Sequence, residues 1–203
     1  MAPSPSTTEP VVDGRTARRD RNRDAVLDAA LELFSEGTLT PSATAVAARS
    51  GVSLRSVYRY YEDLEELVRA SIARSVERNQ HLFVMEGVGE GSLDERIDRF
   101  VAHRSKLYEE MAGLARAAVV RARTNEILRD QLERQMAQLR AQTETMFAPE
   151  LKPRPLARRK ELAAALSLVT GFEALEQLRV SLGFSPEGTR RVMASSLRSL
   201  LAP

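Results

Sequence analysis

The chain has 203 residues, 5% aromatic content, neither cysteine nor tryptophan, and a formal net charge of +2. That length suffices to bury a sizeable core in one or two small domains. The missing cysteines exclude a disulfide framework and a thiolate metal site, and the near-neutral balance excludes a polycation, so any attraction to an anionic partner has to be local.

Taken in chain order, residues 1–20 read as a disordered basic arm. Met1 to Gly14 is rich in Pro, Ser and Thr, and it has neither the basic start nor the apolar run of a signal peptide. Arg15, Arg18, Arg19, Arg21 and Arg23 then crowd the approach to a first helix, predicted from about Asn22 to Glu36 and ended by Gly37. Ser42 is a candidate N-cap for a short helix from Ala43 to Arg49. Gly51 supplies a tight turn, Val52 plugs the core, and Ser53 caps a third helix from Leu54 to Tyr60. Asp63 with Glu66 reads as a capping box for a fourth helix reaching about Phe83.

Gly87, Gly89 and Gly91 mark a connection, and Ser92 with Glu95 opens the next helix. Its apolar line runs through Leu93, Ile97, Phe100, Val101, Leu107, Tyr108 and Met111 to a break expected at Gly113. A short helix from Leu114 to Arg123 follows, and then a longer one capped by Thr124, with Leu128, Leu132, Gln135, Leu139, Thr143 and Met146 on one face. After Pro149, Pro153 and Pro155, a single helix is expected from Leu156 to Leu182, apolar on more than one face. Ser185-Pro186-Glu187 starts the last helix, to about Leu201. No stretch alternates with period two, so the chain reads as all-α with about nine helices. Residues 21–68 form a helix-turn-helix domain and residues 69–203 a second helical domain.

From Gly37 to Tyr61 the chain carries Arg49, Arg55 and Arg59 and not one carboxylate. Such a stretch suits an anionic partner, and Gly51-Val52-Ser53 between two short helices is the sequence form of a helix-turn-helix whose second helix enters a DNA groove. Thr44, Ser53, Ser56 and Tyr60 are candidates for phosphate contact, since hydroxyls and helix amides anchor register without reading sequence. Arg55 and Arg59, one turn apart, can both face the major groove, where arginine favours the O6 and N7 acceptors of guanine. Leu54 belongs to the same surface. Tyr58 has two readings, DNA contact or core packing. Tyr61 is expected to pack the small core.

Residues from about Arg21 to Leu67 resemble the N-terminal domain of TetR-family transcriptional regulators. The likeness rests on Leu33-Phe34 before Gly37, Ser42, Val46-Ala47, Gly51 to Ser53, the run Val57 to Tyr61, and an acidic helix leading to Leu67. Two positions depart from the family pattern. Leu64 stands where a lysine commonly meets a phosphate, so that contact is lost or moved, with the helix amides as one alternative. Arg55 stands where a small residue is usual, which suggests that it offsets the missing lysine. Arg15, Arg18 and Arg19 have two readings, an arm lying in the minor groove or along phosphates, and a solvated tail.

The resemblance implies a homodimeric, sequence-specific DNA-binding regulator, a repressor released from its operator by a small molecule. One such reading unit buries little surface, so two must read adjacent half-sites through a dimer. The helices 156–182 and 185–201 are the expected interface. An effector pocket is expected in the second domain, with Phe100, Tyr108, Met111, Met136 and Phe172 as apolar lining and His103 and Gln135 as polar contacts. The alternatives are a helical protein-binding adaptor and a non-specific nucleoid-type DNA binder without effector. An enzyme is not expected: there is no nucleophile with a base and no phosphate loop, and Glu173 with Glu176 lacks a histidine partner. His81 and His103 are too isolated for a metal site, no cofactor is implied, and no apolar run approaches the roughly 18 residues of a membrane span. A cytoplasmic protein is expected.

Overall fold

The computed structural model describes residues 14–202, so most of the expected arm, residues 1–13, lies outside the described residues. Among the described residues the fold is all-α, with ten α-helices and no strand. The chain divides into two compact units between Arg74 and Ser75.

The first unit holds α1 (Gly14–Ser35), α2 (Ala43–Ser50), α3 (Leu54–Tyr60) and most of α4 (Leu64–Arg78). Here the arm reading is corrected: α1 is helical from Gly14, so Arg15, Arg18 and Arg19 lie on its first turns. Nothing between Gly14 and Asn22 breaks a helix, and the arginines there are good helix formers. The core is small and apolar, built from Val26, Ala30 and Phe34 of α1 with Val46, Val52, Val57, Tyr61, Leu67 and Val68. Ser42 accepts the Ala45 amide at 3.1 Å and Ser53 accepts the Ser56 amide at 3.3 Å, so both expected caps are formed. Gly51 ends α2 with φ +68°, a left-handed conformation that a side chain disfavours. Arg74 ties α4 to α1 through Asp24 at 2.7 Å and Asp28 at 3.0 Å.

In the second unit α4 gives way after Arg78 to a 3-10 turn, Gln80–Phe83, rather than running on to Phe83 as one helix. The Ser92 capping box is present and opens α5, Leu93–Ala122. This is one helix of 30 residues that passes through Gly113, where a break was expected. A lone glycine costs a helix only about 1 kcal/mol, and Met111, Leu114, Ala117 and Ala118 are buried on both sides of it, which outweighs that cost. Asn125, not Thr124, caps α6 (Glu126–Met146) by accepting the Leu128 amide at 3.0 Å. A short α7 (Ala148–Leu151) precedes α8 (Leu156–Val169).

The single helix expected over 156–182 is interrupted. The Thr170 hydroxyl donates to the Leu166 carbonyl at 2.7 Å, and α8 ends there. A Cβ on Gly171 would lie 3.0 Å from the Ser167 carbonyl oxygen, so this close turn favours glycine. The chain restarts as α9 (Phe172–Glu176), continues as a π-helical turn over Gln177–Ser181, and closes with α10 (Pro186–Leu201), capped by Ser185. Ile97, Phe100, Met146, Phe147, Leu162, Leu166, Met193 and Leu197 form the centre of this unit's core. Arg198 of α10 reaches Asp94 at 2.7 Å and Asp98 at 2.9 Å on α5.

Candidate nucleic-acid interface and ligand cleft

The helix-turn-helix presents one face of α3 outward because Val57 alone among α3's residues is fully buried. Leu54 and Tyr58 are exposed, Tyr58 at 55%. Of its two readings, core packing is thereby removed. Tyr61 is 1% exposed and donates its hydroxyl to the Arg23 carbonyl at 3.4 Å, as a core residue with a polar tip. Thr44 is exposed in the first turn of α2.

The three arginines of the carboxylate-free stretch have different surroundings. Arg49 is bound by Glu36 through two bonds of 2.8 Å and by Glu32 at 3.3 Å, so its charge is matched within the unit. Those bonds hold its guanidinium well above its ordinary pKa and lower that of Glu36. Arg59 lies over the Tyr60 ring at 5.1 Å and donates to the Tyr60 hydroxyl at 3.2 Å and to Ser56 at 3.3 Å. That donation pulls the Tyr60 phenol below its usual pKa. Arg55 is exposed and makes no hydrogen bond or ion pair among the described residues.

Ser53 and Ser56 are linked to each other at 3.1 Å while Ser53 caps α3, so both hydroxyls sit at one end of the reading helix. Leu64 is half-buried at the start of α4. The amides beside it are already engaged: Glu66 N–H donates to Asp63 at 2.7 Å and Glu62 N–H to Glu66 at 2.6 Å. Two of the amides at this turn, those of Glu62 and Glu66, are therefore taken by carboxylates of the unit itself.

In the second unit the expected lining residues separate into four groups. Phe100 is fully buried edge-on to Phe147 at 5.2 Å, and Met111 is buried; both are core. Tyr108 and Met136 do line a cleft of about 510 Å³ between α5, α6 and the α8–α9 break, with Phe172 packed edge-on behind Tyr108 at 6.0 Å. His103 faces a different hollow, with His81 and Arg99, and its Nε2–H donates to the Val84 carbonyl at 2.9 Å. Gln135 is half-exposed on α6 and lines neither hollow.

The residue that sequence reasoning missed is Arg104, which lines the Tyr108 cleft while only 1% exposed. It donates to the Leu139 carbonyl at 2.8 Å and lies over Phe100 at 4.9 Å, and its Nη1 has no partner. The signal was present in its spacing, four residues from both Phe100 and Tyr108 on the apolar stripe of α5.

A three-helix unit that exposes a short, carboxylate-free second helix with arginines is the geometry of a helix-turn-helix DNA-binding domain. Residues 26–71 match the family model for bacterial regulatory proteins of the tetR family. That match identifies residues 26–71 as a TetR-family N-terminal domain. The whole fold is similar to solved structures of low sequence identity. A transcriptional regulator from Rhodococcus sp. Rha1 superimposes with a TM-score of 0.67 at 18% identity, covering 90% of this chain and 95% of that one. A candidate TetR-family regulator from Mesorhizobium loti gives 0.64 at 18% identity, covering 91% and 97%. A tetR-family regulator from Streptomyces coelicolor gives 0.62 at 19% identity, covering 90% and 82%. No curated protein matches the chain.

Proposed function

We propose that this protein is a homodimeric, sequence-specific operator-binding repressor that a small molecule releases from DNA. The observation that carries the reading is Arg55: an exposed guanidinium without a partner among the described residues, on the outward face of α3 beside Tyr58 and Arg59. Arg55 and Arg59 are the base-reading candidates, Thr44, Ser53, Ser56 and Tyr60 the phosphate contacts, and Leu54 and Tyr58 the apolar part of the same surface. Arg59 exchanges its stack on Tyr60 for DNA.

A dimer is supported by apolar exposure from the last turn of α8 onward. Leu168, Val180 and Leu182 are 73%, 70% and 59% exposed, and Phe184 is 41% exposed. Several large apolar side chains left open in one stretch of chain suit a surface that a partner covers. Within the proposed interface of residues 156–182 and 185–201, that segment and α10 pack against a second copy.

Titration of a labelled fragment from the region upstream of the protein's own gene tests the reading, against a scrambled duplex and at two salt concentrations. Specific binding exceeds binding to the scrambled duplex by at least about 10³-fold. Equal affinity for both would replace the repressor with a nucleoid-type binder, and no salt-dependent binding at all would leave the protein-binding adaptor.

A further inference from the structure

The cleft lined by Tyr108 and Met136 contains a positive charge that the protein itself does not neutralise. Arg104 is 99% inaccessible by its 1% exposure, its Nη1 lacks any partner, and no carboxylate lies within ion-pair distance of it among the described residues. Burial accordingly pushes its guanidinium below the ordinary arginine pKa. An arginine that only supported the fold would be expected to carry a carboxylate, as Arg96 carries Glu150 in the same unit. The charged side chains lining the cleft are Arg104, Arg140 and Glu173, two positive and one negative, which leaves one net positive charge. The two lining threonines offer no free proton, since Thr143 donates to Leu139 at 3.0 Å and Thr170 to Leu166 at 2.7 Å. The single net positive charge matches a monoanion rather than a phosphate, which carries more.

Resting on the reading of this unit as the effector domain, we infer that the cleft takes an organic monocarboxylate with an apolar body, its acid group paired with Arg104 and its body against Tyr108, Met136 and Leu139. The volume of about 510 Å³ lies in the range of small-molecule sites.

Calorimetric titration of the full chain, without DNA, compares benzoate, phenylacetate and octanoate with the corresponding amides. At least one acid binds about 30-fold or more tighter than its amide, the difference expected for losing one side of a buried charge pair. Arg104→Met abolishes that preference, Arg104→Lys retains part of it, and the unliganded Arg104→Met protein melts no lower than the parent because an unpaired buried charge is gone. Ala164→Phe, which places a ring in the cleft from an exposed lining position and leaves Arg104 unchanged, blocks binding even where the Arg104 variants fail to fold. Equal affinity for acid and amide, no acid binding at millimolar concentration, or an acid preference that survives Arg104→Met overturns the inference. Because no DNA is present, a failure here with operator binding intact removes the carboxylate site alone. Absent operator binding removes the repressor reading and leaves this measurement standing.

Discussion

Glu36, the last residue before Gly37, grips Arg49 of α2 with both carboxylate oxygens at 2.8 Å. The stretch from Gly37 to Tyr61 excludes carboxylates in sequence, yet its first arginine borrows two in space, Glu32 on α1 and Glu36 just after it. Arg49 therefore belongs to the frame that sets α2 against α1, and the free positive charge of the stretch reduces to Arg55 and Arg59. Arg55→Ala is expected to lower operator affinity and to flatten the salt dependence by about one unit of slope, the signature of one lost phosphate neutralisation, or to relax specificity at one base if the contact is to guanine. Arg49→Ala is expected to leave the salt slope unchanged while lowering the melting temperature. Fluorescence anisotropy at several salt concentrations, paired with thermal melts, reads both.

Tyr61 and Tyr58 separate core from surface within one turn of chain. Tyr61 is 1% exposed and Tyr58 55%. Tyr61→Ala is expected to cost about 3–5 kcal/mol of stability, whereas Tyr58→Ala changes stability by about 0.5 kcal/mol or less and weakens DNA binding. Urea denaturation gives the first pair of values and operator titration the second; equal destabilisation by both would contradict the placement.

How much of this was legible in the chain depends on whether a local signal competed with packing. Ser42, Gly51, Ser53, Ser92 and Ser185 form the expected caps and turn because cap chemistry is local and needs no partner from elsewhere. Gly113 misled for the opposite reason: its weak helix-breaking tendency is overruled by buried neighbours that only the fold supplies. The break at Thr170-Gly171 was hidden inside an apolar run, where periodicity does not distinguish one helix from two. Of the candidate lining residues, Tyr108 and Met136 reach a cleft while Phe100 and Met111 are core, since a stripe of large apolar residues looks the same in both roles. Arg104 was the informative exception, a charge on that stripe.

Arg96 shows what a satisfied buried arginine looks like. Its side chain is 4% exposed, it pairs with Glu150 through both nitrogens of its fork, and it donates to the Met146 carbonyl at 2.8 Å. Glu150→Ala is expected to cost about 3 kcal/mol, because the guanidinium left behind stays buried without its partner. The Arg96 bonds also hold the Glu150 carboxyl below the usual range. A depressed acid adds stability that is present above its unfolded pKa and lost as pH falls through the folded one. Denaturation midpoints measured from pH 6 to pH 3 should therefore fall for the parent more steeply than for Glu150→Gln.

His103 gives a second pH dependence, in a different window. Its Nε2–H donates to the Val84 carbonyl, its Nδ1 is buried without a partner, and burial pushes the imidazole below its ordinary pKa of about 6.5. Arg104 and Lys106 act in the same direction by repelling a second positive charge. The unfolded chain then binds a proton at a pH where the folded chain does not, so stability is complete above about pH 6.5 and declines as pH falls through that value, levelling off only below the folded pKa. His103→Gln, whose amide can still donate to Val84, is expected to remove the slope between pH 7 and pH 5 while preserving most of the stability at pH 7.5. Chemical denaturation of both proteins across that range measures it. The Glu150 effect lies at lower pH, so the two contributions are read separately, and an unchanged slope in His103→Gln would assign the titration to another group.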